Sequence, residues 1–66
     1  MPLKVRELKA ALAKAGFVRR PAKGSHSVWK HPMLPGLRVT LSGKDGSDAE
    51  EYQVKFVQDA LKRLER

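Results

Sequence analysis

The period of the hydrophobic positions changes along the chain. From residue 3 to 15 it is helical: Val5, Leu8, Leu12 and Ala15 recur at three- and four-residue steps and line one face. Lys4, Lys9 and Lys14 fall mostly off that face, and the alanines at 10, 11, 13 and 15 favour the helical backbone. Gly16 is the expected stop, because glycine takes the left-handed conformation at C′ without a Cβ clash. Phe17 follows at C″, within reach of Leu12.

The middle of the chain reads as strands. Phe17-Val18-Arg19-Arg20 is a short one, ended or placed at an edge by Pro21, which has no N–H for a ladder. Residues 21–25 form a turn with Gly24 as its positive-φ position. Residues 26–31, carrying Val28 and Trp29, form a second strand. Pro32-Met33-Leu34-Pro35-Gly36 predicts a turn, since two prolines and a glycine interrupt a regular element. Leu37-Arg38-Val39-Thr40-Leu41-Ser42 alternates apolar and polar, the pattern of a strand with one buried and one wet face.

Gly43-Lys44-Asp45-Gly46 predicts a loop; its match to the GxxG string of KH domains is by letter only, because a KH loop joins two helices. Ser47 or Asp48 is expected to start a second helix. Ser47…Glu50 and Asp48…Glu51 both have capping-box spacing, and the acids at 48, 50 and 51 suit the positive end of a helix dipole. Phe56, Val57, Ala60, Leu61 and Leu64 form its apolar stripe, with Tyr52 one turn earlier and Lys62, Arg63 and Arg66 towards its carboxyl end. The order α-β-β-β-α predicts an α+β fold. Short turns make the three-stranded sheet antiparallel, both helices cover one face, and the other face stays open.

Length and charge narrow the picture. A chain of 66 residues allows a single domain, 1–66, and buries only about 60% of its unfolded surface. With no cysteine, neither a disulfide nor a Cys-containing zinc site can staple it. No apolar run approaches the roughly 18 residues of a bilayer span, and the amino-terminal segment lacks the apolar stretch of a signal peptide. A cytoplasmic protein without a membrane partner is expected. The net charge is +7, and it is unevenly placed: residues 1–30 hold eight Lys/Arg and one acid, residues 31–66 six of each. An excess confined to one half points to a polyanionic partner, nucleic acid first and an acidic protein second.

The chemistry concentrates in Arg19-Arg20-Pro21-Ala22-Lys23-Gly24-Ser25-His26 and the strand after it. His26 directly follows a Gly-Ser turn, and an imidazole can take and give a proton near neutrality. His26 and His31 are five apart in one strand and so face opposite sides, and no acid lies between positions 8 and 44; no metal or other cofactor is expected. Ser25 and His26 are adjacent and diverge, with no Asp to orient the ring, which argues against a serine hydrolase. RNA needs less, because its 2′-hydroxyl is the nucleophile: the protein must position the strand, move protons and stabilise phosphate charge. His26 fits the second task. Arg19, Arg20, Lys23 and Lys30 fit the third, with Gly24 and Ser25 as the turn against which the RNA would lie. The residues equally allow His26 to be an ordinary strand-start residue bonded to the turn, and Trp29 to be a packing residue rather than a platform for a base.

Arg6-Glu7-Leu8, Ala15-Gly16-Phe17, Gly24-Ser25-His26, Trp29-Lys30-His31-Pro32 and Arg38-Val39-Thr40-Leu41, in this order and spacing, resemble the HicA-type toxins, the YcfA-like family of small mRNA interferases. The resemblance covers residues 3–42. It implies a double-stranded-RNA-binding-domain-like fold, ribosome-independent mRNA cleavage, an essential histidine at the position of His26, and a HicB-type acidic antitoxin as partner. After Leu41 the chain departs from the Pro-x-His segment of many members and continues Ser42-Gly43-Lys44-Asp45. Two other readings of the same residues are a non-catalytic RNA-binding module and a protein-interaction domain for an acidic partner.

Overall fold

The computed structural model describes residues 3–65, so Arg66 at the end of the expected second helix lies outside the described residues. Helix α1 spans Val5–Lys14, strand β1 Val18–Pro21, β2 Ser27–His31, β3 Leu34–Leu41 and helix α2 Glu51–Leu64. The strands form one antiparallel sheet in the order β1-β2-β3. The fold is α+β with the α-β-β-β-α order of a double-stranded-RNA-binding-like domain. β1 is an edge strand, which is where Pro21 can sit without leaving a ladder partner unpaired.

Register assigns the two faces. Arg19 pairs with Trp29 and Trp29 with Val39; Pro21 pairs with Ser27 and Ser27 with Leu41. Side chains that stand opposite each other share a face, and Ser27, Trp29, Val39 and Leu41 are buried. With Leu8, Leu12, Phe17, Val57 and Ala60 the apolar members of that face form the core. α1 packs on β1 and α2, and α2 on β3, so both helices cover this face. Val18, Arg20, Lys30, Thr40 and, by alternation, Arg38 belong to the opposite, open face.

α1 ends as its sequence requires. Gly16 has φ +99°, the Phe17 N–H donates to Leu12 O at 3.0 Å, and the Gly16 N–H donates to Ala13 O at 3.1 Å. Those are the two hydrogen bonds of a Schellman motif, and its apolar contact is the buried pair Leu12 and Phe17. A second reason for glycine comes from outside the helix. The His31 ring lies against this turn, its Nε2 3.0 Å from Ala15 O, its Nδ1 accepting from the Met33 N–H at 3.0 Å. An accepting Nδ1 leaves the neutral ring's proton on Nε2, which donates to Ala15. A Cβ on residue 16 would stand 3.0 Å from that Nε2. The ring also meets Phe17 edge-on, with centroids 5.0 Å apart.

Two strand boundaries differ from expectation. β3 begins at Leu34, not Leu37, because Pro32-Met33 alone turn the chain and His31 pairs with Leu34. The register shifts between Trp29 and His31, and on an outer strand with such an irregularity Pro35 and Gly36 need not break the element. β2 begins at Ser27, leaving His26 in the turn just before it.

α2 begins at Glu51, not near Ser47. Residues 47–49 are taken up by pairing with residues 3–5: Lys4 bridges Asp48, the Val5 N–H donates to Ser47 O at 2.9 Å, and the Ala49 N–H donates to Leu3 O at 2.7 Å. The helix is capped one turn later, where the Glu50 N–H donates to Gln53 Oε1 at 3.3 Å. Its buried face is also rotated from the expected stripe. Gln53, Val57 and Ala60 face the sheet, while Tyr52 and Phe56 are exposed. Gln53 is tolerated inside because its Nε2 donates to Ser42 O at 3.3 Å and to Ser42 Oγ at 3.1 Å.

Gly16→Ala should destabilise the fold by about 1–2 kcal/mol, the sum of a left-handed alanine and a displaced His31 ring. Thermal melting checks this. In a His31→Ala background part of that cost should disappear, giving a coupling of about 0.5 kcal/mol or more in a double-mutant cycle.

Candidate nucleic-acid interface

The turn from β1 to β2 is held at both ends by backbone. The Ala22 N–H donates to His26 O at 3.1 Å, continuing the β1–β2 ladder, and the His26 N–H donates to Lys23 O at 3.2 Å. Gly24 sits at φ +65°, which lets the chain reverse in so few residues. A third tie comes from a distant loop: the Gly43 N–H donates to Ser25 Oγ at 3.2 Å. Lys23, Gly24, Ser25 and His26 are therefore neighbours on a tight turn, and all four are exposed. His26 closes the turn just before β2 and is exposed to solvent.

The cations expected around His26 divide. Arg20 pairs with Val28 and belongs to the open face, as does Lys30; the two line one shallow depression with Val18, His31, Pro32 and Pro35. Arg38 on β3 joins the same face by alternation with Thr40. Arg19 does not. Its partner in the ladder is Trp29, and it stands on the helix side of β1, where it lines a groove with Arg6, Lys9, Ala10, Ala13, Trp29 and Asp45. β1 thus carries Arg19 on one flank and Arg20 on the other.

Trp29 forms the floor of that groove rather than an exposed platform. It is 4% exposed, and its Nε1–H donates to buried Ser27 Oγ at 3.0 Å. The groove's charge is locally balanced by Asp45, whose Oδ1 lies 2.6 Å from Lys9 Nζ. The hydrogen bond and charge of Lys9, with further attraction from Arg19 and Arg6, hold the Asp45 carboxyl below its ordinary 3.8. A second ion pair, Lys4 Nζ to Asp48 Oδ1 at 2.6 Å, fastens the same loop to the start of α1.

The two histidines differ in kind. His31 spends both ring nitrogens on backbone groups and is half-buried against Phe17, whereas His26 is exposed at a turn. Among the described residues no three His, Cys, Asp or Glu side chains come together in a way that could hold a metal ion. No helix of the described residues is long and apolar enough to cross a membrane. The residues that sequence reasoning missed are Arg38, Arg6 and Lys9. Arg38 was legible as the wet-face residue of an alternating strand. Arg6, Lys9, Ala10 and Ala13 recur at helical spacing, a stripe of cations and small side chains on the flank of the apolar face.

A depressed carboxyl makes a pH-dependent contribution of definite sign. The stabilisation from Asp45 is fully present above 3.8 and is lost as pH falls below that value through the lowered folded pKa. The difference in melting temperature between the wild type and Asp45→Asn should be constant above 3.8 and shrink below it; melting curves across that range measure it.

The family model for the HicA toxin of bacterial toxin–antitoxin systems matches residues 5–65, nearly the whole chain and past the segment where the shared motifs end. No curated protein and no solved structure matches the chain.

Proposed function

The chain belongs to the HicA toxin family of bacterial toxin–antitoxin systems, and we propose that it is an endoribonuclease that cuts mRNA in the cytoplasm with His26 as its proton-transfer group and without a metal ion. The observation that carries this reading is the pairing of an exposed imidazole with a turn whose backbone is tied at Ala22, Lys23 and Gly43. A proton-transfer group must be reachable by substrate; His26 is exposed on a turn whose backbone is tied, whereas His31 has neither ring nitrogen to spare.

The reaction follows from what RNA brings. His26 takes the proton of a 2′-hydroxyl, the oxygen attacks the adjacent phosphorus, and the 5′-oxygen leaves with a proton from water. The product ends are a 2′,3′-cyclic phosphate and a 5′-hydroxyl. Charge that builds on the non-bridging oxygens is met by Arg20, Lys30 and Lys23, the cations on the open face and turn. Gly24 and Ser25 let the RNA backbone approach closely, since Gly24 has no side chain to hold it off. The partner that silences such a toxin is an acidic antitoxin of the HicB type, whose charge complements the excess of cations in residues 1–30.

The experiment is cleavage of single-stranded RNA in the presence of chelator. Wild type should cut; His26→Ala should lose at least about 100-fold in rate, the usual contribution of general acid–base catalysis, while melting and RNA binding stay close to wild type. His31→Ala should melt several degrees lower yet still cut below its midpoint. Binding of RNA without cleavage by the wild type would leave a non-catalytic RNA-binding module as the function.

Binding should reside on one side of the molecule. Charge reversal at Arg20 and Lys30 should weaken RNA binding for all sequences and reduce its salt dependence by about 0.7 in logarithmic slope per lost phosphate contact. The same change at Lys62 and Arg63, at the end of α2 among acids, should do much less. Salt titrations of the two double variants make the comparison.

A further inference from the structure

The groove on the helix side of β1 plays no part in the chemistry above, yet it gathers three cations. Arg6 and Lys9 come from α1, Arg19 from β1, and Trp29 closes the floor. Lys9 is largely covered, its side chain 19% exposed, whereas the carboxylate that meets it is 65% exposed. A sheltered cation facing an exposed carboxylate is a place where an anion from solution can compete for the cation.

Asp45 is not needed there to hold its own loop. The Arg6 N–H donates to Asp45 O at 3.1 Å, the Val5 N–H donates to Ser47 O, and the Ser47 N–H donates to Lys44 O at 3.0 Å. These bonds use backbone oxygens and survive loss of the carboxylate. The carboxylate's contribution is charge: one negative group against three positive ones.

We propose that this groove is a second phosphate site for the RNA backbone, and that the Asp45 carboxylate stands in it as a built-in substitute that an incoming phosphate displaces. The inference rests on the nuclease reading for the identity of the polyanion. β1 supplies the path. Arg20 faces the open sheet surface and Arg19 the groove, so a flexible single strand crossing the edge of β1 meets a cation on each flank. The loop that carries Asp45 also touches the turn of His26, through the Gly43 N–H and Ser25 Oγ. A phosphodiester offers two non-bridging oxygens that share one negative charge to Lys9, Arg6 and Arg19, and frees the exposed carboxylate to water. Asp45 thus raises the threshold for weak or single anions while a polyanion, anchored elsewhere, displaces it.

The test uses the intact protein, a 12-nucleotide single-stranded RNA and inorganic tripolyphosphate as probes, and the fluorescence of Trp29, the only tryptophan, as a local signal. Asp45→Asn removes the substitute. Asp59→Asn is the matched control, because Asp59 is an equally exposed acid paired with Arg63 at 3.5 Å. Asp45→Asn should bind both probes about three- to tenfold more tightly, with a salt slope for RNA steeper by about 0.7, one added single-strand phosphate contact. Asp59→Asn should change affinity less than twofold. Lys9→Gln in the Asp45→Asn background should cancel the gain. Equal effects of Asp45→Asn and Asp59→Asn, or a gain that persists without Lys9, overturn the proposal. Tightened RNA binding with no cleavage by any variant would defeat the nuclease reading and uphold the phosphate site. Wild-type cleavage with no effect of Asp45→Asn on either probe would do the reverse.

Discussion

The left-handed turn at Gly16 is the constraint on which the arrangement of α1 against the sheet depends. A helix of ten residues is too short to be stable alone, so it must be fixed by what it packs on. Its exit does this in two ways. The Schellman bonds turn the chain so that Phe17 falls back on Leu12, and the bare Cα of Gly16 leaves room for His31 to reach Ala15 O. His31 in turn receives the Met33 N–H, so one ring ties the end of α1 to the β2–β3 turn. Each member requires the others. A side chain at 16 would push the ring away, and a displaced ring would leave the Met33 N–H and the Ala15 carbonyl without this partner.

The entrance of α1 is secured from the other end of the chain. The first amide groups of a helix have no partner within it. Here Val5 and Arg6 donate to Ser47 and Asp45 carbonyls, Glu7 and Leu8 to Lys4, and the Glu7 carboxylate takes the Lys4 N–H at 3.0 Å. The segment from Gly43 to Ala49 therefore serves as the cap of α1 before it becomes the lead-in to α2. It also carries the carboxylates that meet Lys9 and Lys4 and the amide that meets Ser25. In a domain of this size no segment is spared for a single task, and a loop that caps a helix is also the one that touches both the basic groove and the turn of His26.

The sequence was most legible where local physics decides. The α-β-β-β-α order, the stop at Gly16 and the positive φ at Gly24 follow from period, glycine and short-range sterics. What was not legible depended on distant pairing. Ser47 and Asp48 have good capping chemistry, but residues 3–5 claim their backbone, so α2 starts later. Gln53 disguised the phase of α2, since a buried glutamine is recognisable only once Ser42 is seen to satisfy it. Proline and glycine at 35 and 36 signal a turn unless the strand that holds them is on an outer edge. For the candidate site, the grouping of Lys23, Gly24, Ser25 and His26 was visible in four consecutive letters. The separation of Arg19 from Arg20 follows from strand alternation alone. The company Arg19 keeps, Arg6 and Lys9, required the packing of α1 on β1.

That separation changes how the charge of the chain is to be understood. A +7 net charge reads as one diffuse basic surface, but the strand pleat sorts it into two fields on opposite flanks of β1. The open field has Arg20, Lys30 and Arg38 and no acid among them. The groove field has Arg6, Lys9 and Arg19 and is tempered by Asp45. On the proposal made above, the open field would attract any polyanion, and the tempered one would admit only an anion able to outcompete the carboxylate already in place. A chain crossing β1 would engage both at once, and the second contact, being intramolecular, would gain in effective concentration. Selectivity for a long, flexible polyanion over small anions would follow from that proposal without any contact to a base.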